Sequence, residues 1–124
     1  MAAPNLVNVA TITAKSVQAA LDTTLTTQIL LNAGSSGKVF KVNSIIIANI
    51  DGTNAATCNV LFYNADNTTA FHICKVANVS AGDTLIVLGK DAPIYLEEGD
   101  KIQGLASAAS DLEITISYEE MDDA

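Results

Sequence analysis

Strict alternation of side chains near the C-terminal end constrains the fold more than any other feature of this chain. From Leu112 to Glu119, each apolar side chain is followed by a polar or charged one. Successive side chains of a β-strand point to opposite faces, so this period of two predicts a strand with one face buried and the other in water. Half-buried strands of this kind are typical of antiparallel sheets. The pattern therefore predicts a fold built on antiparallel sheet.

Other segments predict further strands separated by turns. Three consecutive isoleucines and the Asp51-Gly52 turn after them favour a strand over a short helix for residues 38–50. Residues 16–21 also fit a helical turn, but we interpret them, with the threonine-rich run after them, as strand. The predicted strands cover residues 4–13 (or an extended arm there), 16–21, 23–31, 38–50, 57–63, 68–75 and 84–88, and further strands begin at Ile94, Lys101 and Leu112. About eight to ten short strands with regular turns predict an all-β, antiparallel β-sandwich that is jelly-roll-like.

The length of 124 residues (12.9 kDa) predicts one domain. We expect an N-terminal extended arm or first strand at residues 1–15, a single β-sandwich domain at residues 16–120 and an acidic C-terminal tail at residues 121–124. Aromatic residues make up 5% of the chain and tryptophan is absent, so the core is expected to be aliphatic. The Gly-Asp sequences within residues 81–84 and 98–101 predict matching corners of the sandwich.

The charge of the chain argues against several classes of partner. The net charge is −8, and the chain contains six lysines and no arginine, whereas nucleic-acid binding needs a basic surface. Nine of the fourteen acidic residues lie from Glu97 onward, which predicts a solvated acidic edge. A contact with a basic partner and a weak divalent-cation site remain alternatives for these acids. The sequence has neither the features of a secretory signal nor an apolar run of roughly 18 residues, so we expect no membrane association.

The only histidine and the two cysteines predict no metal or cofactor. His72 alternates with Phe71 and Ile73, so we expect it to point outward or into a subunit contact. Together with Cys58 and Cys74 it lacks the spacing of a zinc site. We expect both thiols to be reduced and buried on strands, and a disulfide between them stays open if those strands are neighbours.

No group of residues in the sequence predicts catalysis. Glu97, Glu98 and Asp100 resemble paired catalytic carboxylates, but they sit beside a glycine turn without aromatic residues around them. The oxygen-rich stretches at 51–54 and 64–67 lack the spacing of a dedicated calcium loop. We therefore predict that the protein is not an enzyme, with no catalytic, cofactor-binding or metal-binding residues.

Four segments carry a resemblance to a known family. They are Lys-Val-Phe-Lys-Val-Asn-Ser-Ile-Ile-Ile-Ala-Asn-Ile-Asp-Gly-Thr-Asn at 38–54, Phe-His-Ile-Cys-Lys at 71–75, Pro-Ile-Tyr-Leu-Glu-Glu-Gly-Asp at 93–100 and Ala-Ser-Ala-Ala-Ser-Asp-Leu-Glu at 106–113. Through them the chain resembles small virion structural proteins of tailed bacteriophages, especially those that infect marine cyanobacteria. The resemblance implies a β-sandwich that assembles in many copies on a particle, and it brings no catalytic residues with it.

The resemblance leads to a specific expectation of function. The protein is expected to be a capsid decoration or cement protein, a homotrimer on the exterior of the virion head that bridges major capsid subunits and is made in the host cytoplasm. Alternatives are a structural or adaptor module of the neck, tail or fibre, and a soluble ligand-binding β-sandwich. An extended N-terminal arm would add a strand to a neighbour's sheet. The residues expected at interfaces are Leu6, Val7, Val9, Ile12, Phe40, Phe62, Tyr63 and His72.

Overall fold

The computed structural model describes residues 9–123, which form nine β-strands and no helix. All strand pairs are antiparallel. The strands are β1 (Val9–Ala20), β2 (Thr26–Leu31), β3 (Lys38–Asn49), β4 (Ala56–Asn64), β5 (Thr69–Val79), β6 (Thr84–Leu88), β7 (Ile94–Leu96), β8 (Lys101–Ala106) and β9 (Leu112–Asp123).

The strands make two sheets with the strand order of a jelly roll. One sheet has the order β1-β9-β3-β6, with β7 also on β3, and the other has the order β2-β8-β4-β5. β6 pairs with residues 45–48 of β3 and β7 with residues 40–42, so together they act as one interrupted strand. Counted that way, there are eight strands, and the first pairs with the last, the second with the second-last, and so on inward. This arrangement defines a double-sheet jelly roll and confirms the predicted fold class.

The core lies between the sheets and is aliphatic, as the composition predicts. The alternating apolar residues of β9 all face inward, where they meet the inner side chains of β3 and β4. Packing leaves little room for a larger residue at Gly104 of β8. A Cβ atom at Gly104 would lie 3.0 Å from Cδ1 of Ile29 and 3.3 Å from Cδ2 of Leu21.

The two Gly-Asp corners match, as the sequence predicts. In the turns at 80–83 and 97–100, the amide of the aspartate donates to the carbonyl three residues earlier, at 3.0 Å in both. Gly82 and Gly99 stand at the third position with φ of 69° and 89°. A positive φ at this position defines a type II turn and favours glycine.

A buried asparagine anchors each of these corners at an end of β3. The backbone amide of Asn49 donates to the carbonyl of Asp83 at 2.9 Å, and that of Asn32 donates to the carbonyl of Asp100 at 3.0 Å. Each side-chain amide also donates to two carbonyls, those of Lys38 and Leu96 from Asn32, and those of Asn54 and Val79 from Asn49. Burial of a side-chain amide is favourable only when its polar atoms are hydrogen-bonded. The hydrogen bonds of Asn32 and Asn49 therefore hold the loops at the two ends of β3 in place.

The structure decides between the alternatives at one end of the chain and corrects the prediction at the other. Residues 9–15, expected in an extended arm or a first strand, belong to the strand β1 and pair with β9 of the same chain. Residues 121–123, expected in an acidic tail, continue β9, which pairs with β1 on one side and β3 on the other. Leu6 and Val7, also expected in the arm, lie outside the described residues.

Strand β5 also departs from the simple alternation predicted for it. Phe71 and Ile73 were expected on the face opposite His72 and Cys74, but Ile73 and Cys74 both pack against the core. The reason is irregular pairing with β4, whose register shifts twice along the strand. Bulges add residues to one strand only, so they break the period of two.

Candidate interaction surfaces

One residue predicted for an interface is part of the core. Phe40 is 6% exposed, and its ring packs against Tyr118 with centroids 5.2 Å apart. It faces inward because it alternates with Lys41 on β3. The prediction that Phe40 forms a subunit contact is therefore wrong.

Three further predicted residues lie on the sheet that contains β4 and β5. Phe62 is half-buried and faces the core, so it does not present a surface. Tyr63 and His72 lie on the outer face, and His72 is exposed. Lys101 places its Nζ 4.6 Å from the centroid of the Tyr63 ring, a cation–π contact.

Val9 and Ile12 lie on the other sheet, in the first half of β1. Ile12 is exposed and Val9 is half-buried. The described residues predicted for interfaces therefore do not form one surface. They are divided among the core, the outer face of β4 and β5, and the start of β1.

The most exposed large apolar residue of the described part of the chain was not among those predicted. Ile86 of β6 is 67% exposed and lies beside Ile46 on the outer face of the five-stranded sheet. Tyr95 of β7 lies on the same face beside Lys41, and it too is exposed. We call these four residues the β6–β7 patch. Sequence reasoning missed it because Leu85 to Leu88 is continuously apolar and gives no sign of which side chain points outward.

The opposite edge of the same sheet is formed by β1 and is regular. Pairing of β1 with β9 is unbroken from Thr11 to Ala20, and its other side has no neighbouring strand among the described residues. Lys15 supplies the only charged side chain of this strand. Edges that are long, flat and poor in charge can accept another strand. We call this side of the strand the β1 edge.

The four-stranded sheet ends in β5, an edge of different character. Phe71 and Val76 are exposed on it. Val76 has a φ of 51°, and its amide donates to Oδ1 of Asn59 at 2.8 Å. Bulges twist an edge strand and hinder pairing with another chain. β5 is therefore less suited than β1 to adding a strand.

A charged depression lies where β1, β9 and β3 extend beyond the apolar core. Glu120 accepts from Lys15 at 3.1 Å and from Lys38 at 3.2 Å. Burial raises the pKa of Glu120, but the hydrogen bonds and positive charges of the two lysines outweigh it and hold the pKa below its usual value. The depression has a volume of about 230 Å³ and is lined by Thr11, Thr13, Lys15, Lys38, Glu120 and Asp122.

The carboxylates that resembled a catalytic group hold loops in place. Glu98 accepts from the amide of Gly37 at 2.7 Å. Asp100 is buried and accepts from the amides of Ala65 at 2.9 Å and Glu97 at 3.0 Å. Their oxygens therefore join neighbouring loops at one end of the sandwich.

In the oxygen-rich stretches at 51–54 and 64–67, side-chain oxygens accept hydrogen bonds from backbone amides of the same turn. Asp51 accepts from the amide of Thr53 at 2.8 Å and from that of Asn54 at 3.3 Å. These hydrogen bonds, that of Thr53 first, lower the pKa of Asp51. Asn64 accepts likewise from the amide of Asp66 at 3.0 Å. Among residues 9–123, no three His, Cys, Asp or Glu side chains are grouped to hold a metal ion.

Sequence comparisons with known proteins found no match for this chain. The chain matches no protein-family model and no curated protein sequence. Within the described part of the chain, no helix is long and apolar enough to cross a membrane.

Proposed function

We propose that this protein is a non-enzymatic structural component of a tailed-bacteriophage virion, a capsid decoration or cement protein. In this proposal it is made in the host cytoplasm and binds the outside of the head as a homotrimer. It bridges neighbouring major capsid subunits and so helps the shell to resist the pressure of packaged DNA. Its partners are the major capsid protein and its own copies, with neither nucleic acid nor a membrane involved.

The observation that carries the proposal is the position of the exposed apolar side chains. In the β6–β7 patch, Ile86 and Tyr95 stand on a sheet face that points away from the core. Apolar side chains that project from an outer face are suited to contact another protein rather than to enclose a small ligand. Jelly rolls are frequent among viral capsid proteins, but the fold serves other functions as well, so it supports the proposal without deciding it.

The arrangement of edges is compatible with the closed ring that the proposed homotrimer requires. A ring is built from one heterologous contact that repeats around the axis, so each subunit needs two different surfaces. The β1 edge and the β6–β7 patch lie at opposite edges of the five-stranded sheet. One subunit can therefore present its β1 edge to the β6–β7 side of the next.

Quantitative mass spectrometry of purified particles tests the proposal. We expect the protein in particles at a copy number that matches the local threefold positions of the head shell. A handful of copies per particle would contradict a decoration role. Localisation on tails separated from heads would instead indicate the neck, tail or fibre alternative.

The N-terminal residues offer a separate test of how the subunit attaches. Because residues 9–15 belong to β1, an arm can comprise residues 1–8 at most. We expect deletion of residues 1–8 to leave the thermal unfolding midpoint almost unchanged and to weaken particle binding, measured by co-sedimentation. Replacement of the same residues by a glycine–serine segment of equal length is the control for chain length. Unchanged binding by the deletion variant would contradict a role for Leu6 and Val7.

A further inference from the structure

The two cysteines of the chain lie side by side on neighbouring strands. Cys58 is on β4 and Cys74 on β5, and in the register Val60 stands opposite Cys74. Cys58 is fully buried in the core cluster, and Cys74 is half-buried and packs against that cluster. Both side chains therefore point between the sheets from adjacent strands, which makes them diagonal neighbours on one face.

Both thiols are free, and they lie close enough to shift each other's pKa. The interaction with Cys58 lowers the pKa of Cys74 to about 7, against an ordinary value of 9.0; burial opposes this shift, and the backbone of Val60 adds to it. The interaction with Cys74 and burial both raise the pKa of Cys58. Cys74, which is also the less buried of the two, is therefore the thiol that loses its proton more readily.

We propose that Cys58 and Cys74 form an oxidation site that reacts with small disulfides such as oxidised glutathione and closes into a disulfide between β4 and β5. Cys74 reacts first because it is the more accessible of the two. Cys58 then resolves the intermediate because it lies on the neighbouring strand and faces the same side of the sheet as Cys74.

The chemistry balances in two exchange steps. The Cys74 thiolate attacks one sulfur of oxidised glutathione, a bond to Cys74 forms, the glutathione S–S bond breaks, and glutathione thiolate leaves. Cys58 then loses its proton to solvent and attacks the Cys74 sulfur, and a second glutathione thiolate leaves and takes up a proton. The protein loses two electrons and two protons, and one glutathione disulfide becomes two thiols. Exchange of this kind proceeds through the thiolate of the attacking cysteine.

The new bond would fasten an edge strand to the interior of its sheet. Among the described strands, β5 pairs only with β4, and this pairing is interrupted beside Asn59, between the positions of the two cysteines. Edge strands with interrupted pairing are the first segments to open locally. A disulfide at this place restricts the opening of β5 from β4. Oxidation after release from a reducing cytoplasm would therefore make the edge more rigid.

Intact-mass spectrometry of the folded protein with oxidised glutathione tests the proposal. We expect the mass to fall by two hydrogens, and peptide mapping to show Cys58 linked to Cys74. We also expect amide exchange of β5 to slow by at least severalfold. A stable glutathione adduct as the final product, or a protein that stays reduced in excess oxidant, would contradict the proposal.

Single alanine variants separate the two roles. Cys58→Ala is expected to stop at the glutathione adduct of Cys74 and to react more slowly near pH 7, because Cys74 loses the interaction that lowers its pKa. Cys74→Ala is expected to remain reduced, since Cys58 is buried. Equal adduct formation by both variants would contradict the assigned order. The wild-type result stands without them if a variant fails to fold.

Discussion

At the scale of single residues, three consecutive isoleucines illustrate what alternation decides and what it leaves open. Ile45 and Ile47 are fully buried, whereas Ile46 lies on the outer face beside Ile86. The run of apolar residues identifies a strand, but it does not tell which of its side chains face the core. Pairing of β3 with β9 and β6 decides which side chains face the core. The bulge near Asn43 sets which residues of the alternation after it point inward.

Substitution of aspartate at these positions tests the assignment. Ile47→Asp is expected to prevent folding, because an unpaired carboxylate in the core costs several kcal/mol. Ile46→Asp, which makes the same chemical change one residue earlier, is expected to fold. Circular dichroism and thermal unfolding of the two variants check this. Folding of Ile47→Asp or loss of fold in Ile46→Asp would contradict the described register.

Val76 offers a prediction in the opposite direction, toward greater stability. Its φ of 51° is unfavourable for a β-branched residue, and its side chain is 61% exposed. Val76→Gly is therefore expected to relieve strain and raise the free energy of unfolding by about 1 kcal/mol, while little buried surface is lost. Ala77→Gly is the control, since no positive φ is found there, and it is expected to destabilise the protein. Urea unfolding measures both changes, and destabilisation by Val76→Gly would contradict the account.

At the scale of elements, the sequence predicted the strands well and their ends poorly. The interiors of β4 and β9 follow from alternation, and those of β3 and β6 from apolar runs bounded by turns. The C-terminal end of β9 was not predicted, because Asp122 and Asp123 are charged and resemble a tail. They remain in a strand because β9 pairs with strands on both sides, and Lys15 and Lys38 from those strands neutralise Glu120. Such pairing involves residues far apart in the chain and leaves no local signal.

The ion group on these strands predicts how stability depends on pH. The pKa of Glu120 is lower in the folded protein than its ordinary value of 4.5, so the unfolded chain binds this proton more readily. The stabilisation is therefore present above the ordinary value and is lost as the pH falls through the lowered folded value. Glu120→Gln is expected to destabilise the protein at neutral pH and to lose less stability on acidification than the wild type.

Urea unfolding between neutral pH and about pH 3 measures this difference. Glu113→Gln removes the same charge from an exposed position on the same strand, and it is expected to follow the wild type closely. Parallel acid profiles for Glu120→Gln and the wild type would contradict the role given to the two lysines.

At the scale of the whole molecule, the sequence predicts the fold but not which side chains are exposed on its surfaces. The β-sandwich follows from strands and turns, and the strand order completes a jelly roll. The predicted interface residues were chosen for being apolar or aromatic, and folding sends them to separate places. Phe40 enters the core, whereas Ile86, which no pattern marked, stands in solvent. Side-chain direction in a bulged or continuously apolar strand depends on tertiary pairing, so sequence periodicity cannot supply it.

The β6–β7 patch makes a prediction about assembly. Ile86→Lys is expected to leave the unfolding midpoint nearly unchanged, because the side chain lies outside the core, and to weaken assembly into trimers. Thr84→Lys, at an exposed polar position of the same strand, is the matched control and is expected to assemble normally. Sedimentation equilibrium at several concentrations measures both. Equal assembly of the two variants would remove the patch from the proposed trimer contact.

Cryo-electron microscopy of intact particles tests the central claim most directly, because it shows where a jelly-roll subunit sits. We predict density for three copies of this fold around local threefold positions on the outer head surface, with the outer face of the five-stranded sheet in contact with a neighbouring protein. A head surface without this density, or density confined to the neck or tail, would contradict the account.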